Sequence, residues 1–163
     1  SQASSIWGLK RRPADKPLIL MGNSTNSLLE QVLADCHHDA QGLADRFWPG
    51  ALTLVLPARG EVQDALNPGG GSLGVRIPAC QLTCQLLERT GPLATSSANP
   101  SGDSAAMTAA DASRYFPALP QLGPQPWPQH SGQASTVIGW LGPGRWQLLR
   151  RGAVIPQELQ LEE

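Results

Sequence analysis

The apolar residues of this 163-residue chain come in short runs, and that limits what it can fold into. PLILM (17–21), ALTLVLP (51–57), LGVRIP (73–78) and PLATS (92–96) are each the length of one buried strand. Between them the spacing changes. NSTNSLLEQVLAD offers a polar cap and then Leu28, Leu29, Val32 and Leu33 at helical intervals. QGLADRFW reads as a shorter helix stopped by Pro49-Gly50, residues 80–90 as another, and MTAADASRYF as one capped by Thr108. SSIWGLK (4–10) reads as the last turns of a helix, and RRPADKP as the turn into the first strand. Strands alternating with helices predict an α/β fold. ASTVIGW and RWQLLRR, joined by LGPG, predict a closing hairpin and hence a twisted, mixed parallel and antiparallel sheet flanked by helices. Residues 117–133, rich in Pro, Gly and Gln, predict a long surface loop. The chain shows no internal repeat, and its length suits one domain over residues 1–163.

Net charge is −1 and charged residues make up 15%, so no global basic field marks a nucleic-acid binder. Any polyanion site must be local. Three cysteines (Cys36, Cys80, Cys84) form no disulfide framework, which predicts a reducing cytoplasm. Cys80 and Cys84, four apart, read as two small apolar residues on a helix's core face rather than as zinc ligands. No apolar run reaches membrane-spanning length and the first residues lack a signal-peptide pattern, so a soluble intracellular domain is expected. Of the five tryptophans, Trp140 and Trp146 flank the hairpin turn and predict cross-strand packing rather than base stacking.

One stretch stands apart. TSSANPSG (95–102) ends the PLATS strand with residues that build no core. A plain turn explains Asn-Pro and Ser-Gly. Hydroxyls and successive backbone N–H groups at a strand end also cradle phosphate oxygens. Cations stand nearby in sequence or in analogous places: Lys10, Arg11, Arg12 and Lys16 before the first strand, Arg150 and Arg151 at the end of the last. Most such charges are solvated surface. Arg76, between Val75 and Ile77 and after the Gly-rich NPGGGS, is different, because strand alternation aims it at a sheet face where a charge needs a partner.

KRRPADKPLILM, FWPGALTLVLPA, LGVRIP, TSSANPSG, STVIG and LLRRGA occur in this order and resemble the YrdC/Sua5/TsaC family, the L-threonylcarbamoyladenylate synthases. The resemblance runs from about Ile6 to about Val154 and implies that family's fold, with a concave basic cleft. The family's Lys-x-Arg falls on Lys10 and Arg12, and its Ser-x-Asn on Ser97 and Asn99, which the resemblance makes the catalytic set. With Ser72 and Arg150 these would hold ATP, while Arg76, Thr95 and Ser135 would hold threonine. Arg150 aligns only if the last hairpin carries one inserted residue.

The implied reaction takes ATP, L-threonine and bicarbonate. The threonine carbamate attacks the α-phosphate, pyrophosphate leaves, and threonylcarbamoyl-AMP serves the t6A modification of tRNA by downstream transferase proteins. Magnesium is expected with ATP, although no carboxylate pair marks a metal site. The family also places a Pro-Thr-x-Thr-x-Tyr-Gly-Leu strand before Lys-x-Arg, which this sequence does not show. Either the chain is a shortened relative or the stretch belongs to an earlier part of a longer protein; in the first case an unpaired sheet edge and one pocket wall fewer are expected. Met21 also stands where some members carry a polar residue near the amino acid. The rival reading is a module that binds double-stranded RNA, tRNA or a nucleotide without synthase activity, through the Lys10, Arg11, Arg12, Lys16, Arg150 and Arg151 cluster.

Overall fold

The structure is a computed structural model that describes residues 2–13 and 16–162. Ala14 and Asp15 of the expected RRPADKP turn lie outside the described residues. Seven strands form one sheet in the order β4-β1-β3-β2-β5-β6-β7. They are β1 (Ile19–Met21), β2 (Leu52–Pro57), β3 (Ser72–Arg76), β4 (Leu93–Thr95), β5 (Thr136–Gly142), β6 (Arg145–Arg150) and β7 (Leu161–Glu162). β1 runs parallel to β3 and antiparallel to β4, β2 is antiparallel to β3 and parallel to β5, and β5–β6 is the expected hairpin. The sheet is mixed, as the sequence predicts. β4 is an edge strand among the described residues.

Strand alternation divides the sheet into a packed face and an open one. Leu18, Leu20, Leu52, Leu54, Leu56, Leu73, Val75 and Ile138 are buried on the first. They share a core with residues of α1 (Gln2–Lys10), α2 (Thr25–Leu29), α3 (His37–Phe47) and α4 (Glu61–Leu66). Of their alternates, which point the other way, Ile19, Ser72, Arg76 and Val55 are only partly buried, whereas Thr53 is buried. α5 (Gln81–Thr90) and α6 (Ala109–Tyr115) bury Leu87, Ala109 and Ala112 apart from that core.

Four details differ from the sequence reading. The helix expected through Leu33 stops at Leu29, because the Leu33 N–H is committed to Pro57 O at 2.8 Å and pins the chain to β2. The helix expected at residues 41–48 begins earlier, at His37. α4 and β7 have no counterpart in the reading. Cys80 does not face the core: it caps α5 in an exposed position, where the Thr83 hydroxyl and backbone N–H hold its thiol below the usual range. Cys84 is half-buried, donates to Pro78 O at 3.1 Å, and has its thiol raised by burial.

Thr108 does cap α6, in a reciprocal capping box with Asp111. Trp140 and Trp146 pair across the hairpin, and the Trp140 indole donates to Asp39 Oδ2 at 2.8 Å, tying the hairpin to α3.

Candidate functional site

At one end of the open face, the last turn of α1 meets the TSSANPSG loop. α1 ends at Lys10; the next residue, Arg11, has a left-handed φ of 50°, and Arg12 N–H returns to Trp7 O at 2.9 Å. That turn aims Lys10 inward, where it is 5% exposed and its ammonium donates to Ser96 Oγ at 2.8 Å and to Ser97 O. Ser101 N–H closes the junction by donating to Lys10 O at 2.8 Å. Burial, and then the neighbouring Arg12, lower the Lys10 ammonium to a pKa of about 8. Lys10, Thr95, Ser96 and Ser97 line a cleft of about 300 Å³ whose remaining wall includes Ile6, Leu9, Phe116 and Leu119.

The other sequence-predicted residues here are partly committed. Arg12 donates to Lys16 O and to Pro17 O at 3.0 Å. The Asn99 amide N–H groups donate to Pro100 O and Asp103 O, which fixes which end is which and leaves Oδ1 a buried acceptor with no partner among the described residues. Thr95 Oγ donates to Ile19 O at 3.0 Å and holds β4 to β1.

The second end lies across the sheet. Cross-strand register links Met21 with Arg76, Thr53 with Val137, and Val137 with Arg150. The Leu54–Val75 pair places Thr53 beside Arg76 one step along, so Met21, Arg76, Thr53, Val137 and Arg150 form one row across five strands. Register shifts between Val137 and Ile138, where β6 passes from Arg150 to Leu148. The bulge skips Leu149 and brings Arg150 into the row.

Arg150 clamps Ser135: Nε and Nη2 donate to its carbonyl at 3.1 and 2.8 Å, and Nη2 also reaches its Oγ at 3.1 Å. Thr53 Oγ lies 2.8 Å from Ser135 Oγ. Arg76 Nε donates to Gly50 O at 2.8 Å. Burial, and then Arg150, lower the Arg76 guanidinium, so the two arginines feel each other's charge. Neither arginine is in a salt bridge among the described residues. Gly152 is required just beyond: a Cβ there would lie 2.3 Å from Ala134 O and 2.5 Å from Ser135 C.

The structure therefore gathers Lys10, Ser97 and Asn99 at one end and Arg76, Ser135 and Arg150 at the other. Ser72 belongs to neither, since Asn67 Nδ2 donates to its carbonyl at 2.9 Å and its Oγ at 3.3 Å. Thr53 escaped the sequence reading. Its only signal there is a lone hydroxyl between Leu52 and Leu54. The basic cluster is also not a continuous surface, because Lys10 is buried while Arg11, Lys16 and Arg151 are exposed. Among the described residues no group of three or more His, Cys, Asp or Glu side chains offers a metal cage.

Fold and site define an α/β protein with helices packed on one face of a mixed sheet and cations spaced along the other. The family described as "Telomere recombination" (Sua5, YciO, YrdC) matches residues 2–152. A threonylcarbamoyl-AMP synthase of Pyrococcus abyssi is 42% identical over 98 residues, which cover 60% of this chain and 28% of that protein. One of Stutzerimonas stutzeri is 32% identical over 112 residues, 69% of this chain and 60% of that one. Among solved structures, P. abyssi Sua5 complexed with L-threonine superposes with a TM-score of 0.84 at 34% identity, over 95% of this chain and 45% of that one. Escherichia coli YciO, at 20% identity and a TM-score of 0.74 over 93% of this chain and 73% of its own, shares the fold. The chain belongs to the Sua5/YciO/YrdC family. Its matches span between 28% and 60% of these curated relatives' length.

Proposed function

We propose that this chain is the nucleotide- and threonine-binding domain of a threonylcarbamoyl-AMP synthase. The observation that carries the reading is the open sheet face with donors at both ends and no salt-bridging carboxylate on Lys10, Arg76 or Arg150 among the described residues. Such a face suits a ligand that is anionic at two places. ATP and the carboxylate of threonine meet that requirement, and the similarity to named synthases points to the same pair.

Lys10 and the Ser97 hydroxyl take phosphate oxygens, with Arg12 adding charge beside them. Asn99 holds the loop that presents Ser97. Arg76 takes the amino-acid carboxylate, with Ser135 beside it and Thr95 at the β4 side of the same face. Ser72, bonded to Asn67 and apart from both ends, takes no part in this division. Arg150, clamped on Ser135 and close enough to Arg76 to feel its charge, belongs to the carboxylate end rather than to the nucleotide. Bicarbonate supplies carbon dioxide to the threonine amine, which loses a proton on forming the carbamate. A carbamate oxygen then bonds to the α-phosphorus as its bond to the pyrophosphate oxygen breaks. The protein's contribution is positioning and neutralisation of charge that grows on pyrophosphate. Magnesium arriving with ATP would be held by phosphate oxygens and water. The product serves t6A formation on tRNA through downstream transferase proteins. A cytoplasmic setting fits the three free cysteines, and no helix among the described residues is long and apolar enough to cross a membrane.

Mass spectrometry of a reaction with ATP-Mg, L-threonine and bicarbonate, alongside pyrophosphate release, tests the reading. Threonylcarbamoyl-AMP that vanishes when threonine is omitted is the expected result. Absence of product with strongly salt-dependent binding of double-stranded RNA would replace it with the RNA-module reading.

A further inference from the structure

Thr53 is the only polar residue within the apolar part of β2, and it is 1% exposed. A buried hydroxyl has one proton to give and two lone pairs to fill. Among the described residues the Thr53 hydroxyl meets a single polar atom, Ser135 Oγ at 2.8 Å. Ser135 is itself buried, at 7% exposure, and its Oγ also accepts from Arg150 Nη2 at 3.1 Å. Were Ser135 the donor in the pair, the Thr53 proton would be buried with no acceptor, a loss comparable to a whole hydrogen bond. With Thr53 as donor, both lone pairs of Ser135 Oγ are filled, by Thr53 and by Arg150. The Ser135 proton then has no acceptor among the described residues and is free to serve something on the open face.

We propose that Thr53 is a positioning residue whose hydroxyl fixes the direction of the Ser135 O–H, making Ser135 a donor to an anion held between Arg76 and Arg150. The row Arg76–Thr53–Val137–Arg150 puts Thr53 of β2 and Val137 of β5 between the two arginine strands, with Thr53 next to Arg76. The anion site is thereby made of donors alone: two guanidinium groups and one hydroxyl. A carboxylate, which only accepts, fits it; an ammonium or a neutral amide does not. Identifying that carboxylate as threonine's rests on the function proposed above, whereas the direction of the hydrogen bond does not.

The test compares Thr53→Val, which keeps shape and removes the hydroxyl, with Thr53→Ser, which keeps it. Two readouts are needed: the affinity for L-threonine, and nitrogen chemical shifts of the Arg76 and Arg150 Nε atoms during titration with acetate, a bare carboxylate. Thr53→Val should weaken both ligands about three- to tenfold. It should raise the KM for threonine with kcat changed less than twofold and nucleotide affinity unchanged. Thr53→Ser should restore wild-type behaviour. Adding Thr53→Val to Ser135→Ala should have no further effect, because the two hydroxyls act as one unit.

Equal acetate affinity in wild type and Thr53→Val would overturn the proposal. So would acetate that shifts neither arginine, or Thr53→Ser as impaired as Thr53→Val. If wild type binds acetate and Thr53→Val weakens it, but threonine neither binds nor reacts, the donor arrangement stands and the synthase reading falls.

Discussion

The two ends of the open face are built by opposite means. At the Lys10 end, a helix terminus and a loop some eighty-six residues away in sequence hold each other through one ammonium and one backbone bond. At the Arg76–Arg150 end, the functional groups ride on β3, β2, β5 and β6, which are laddered side by side. The first end carries a charge that burial has made easy to lose, on a turn with a left-handed arginine. The second carries two guanidinium groups, which keep their charge across the accessible pH range. From Thr95 on β4 to Arg150 on β6 is five strand spacings, about 24 Å along the sheet. One compact anion cannot touch both ends, whereas a nucleotide with an amino acid beside it can divide the span between them.

Single substitutions at each end give the largest expected effects. Lys10→Ala should lower kcat/KM about a hundredfold or more and abolish most nucleotide affinity, with acetate affinity at the other end within twofold. It should not unfold the protein, because it removes a charge whose burial is unfavourable. Arg76→Ala should weaken threonine and acetate about ten- to a hundredfold, the range of a charge-assisted hydrogen bond, and leave nucleotide affinity nearly unchanged. Calorimetric titration of both ligands into both variants checks the division. If each variant loses both ligands equally, the face is one site and the distinction fails.

The same contrast explains what can be read from the sequence. Strands announce themselves where apolar runs are bounded by turns, so β1, β2, β3 and the β5–β6 hairpin are legible. So is the cap at Thr108, since capping chemistry is local. The stop at Leu29 is not legible, because Val32 and Leu33 continue the helical spacing; only the tertiary bond from Leu33 to Pro57 ends the helix. α4 has only six residues and a Gly60 cap without a side-chain bond, so its apolar set at helical spacing, Val62, Ala65 and Leu66, is less than two turns long and is too short to stand out. The Lys10 end is legible as a run of cations and a run of hydroxyls, although the burial of Lys10 is not. Arg76 is legible as a charge inside a strand. Its proximity to Arg150 and the link through Thr53 depend on strand order and on a bulge, and neither is written in any local stretch.

Changing pH should separate the ends without mutation. The folded Lys10 pKa of about 8 lies below its ordinary value of 10.5. Nucleotide affinity should therefore fall, by up to about tenfold, as pH rises from 7 to 9, with the midpoint moved above 8 because bound phosphate favours the ammonium. Acetate affinity at the arginines should stay flat over that range. Stability moves in the opposite sense to nucleotide affinity. Between pH 8 and 10.5 the unfolded chain binds the Lys10 proton and the folded chain does not, so this group's contribution to stability rises with pH through that window. It is least favourable below 8, where the buried amine is charged. Lys10→Met should remove both trends; nucleotide affinity that falls with pH in the variant as it does in wild type would assign the effect elsewhere.

The smallest effect concerns the turn that aims Lys10. Arg11 has a φ of 50°, where a side chain crowds its own backbone at a cost of about 1–2 kcal/mol and glycine does not. Arg11→Gly relieves that crowding but gives the unfolded chain more freedom, worth about 0.5–1 kcal/mol in the other direction. The relief should win by about 0.5 kcal/mol, because the closing bond from Arg12 N–H to Trp7 O already holds the turn in its left-handed form. Denaturant unfolding at pH 7 measures the difference directly. Arg11 is exposed, so acetate affinity at the arginine end should not change. A loss of stability would mean that the Arg11 side chain supports the turn through its own contacts. The Lys10 end would then be held by more than one ammonium and one backbone bond, and its contrast with the laddered strands of the other end would narrow.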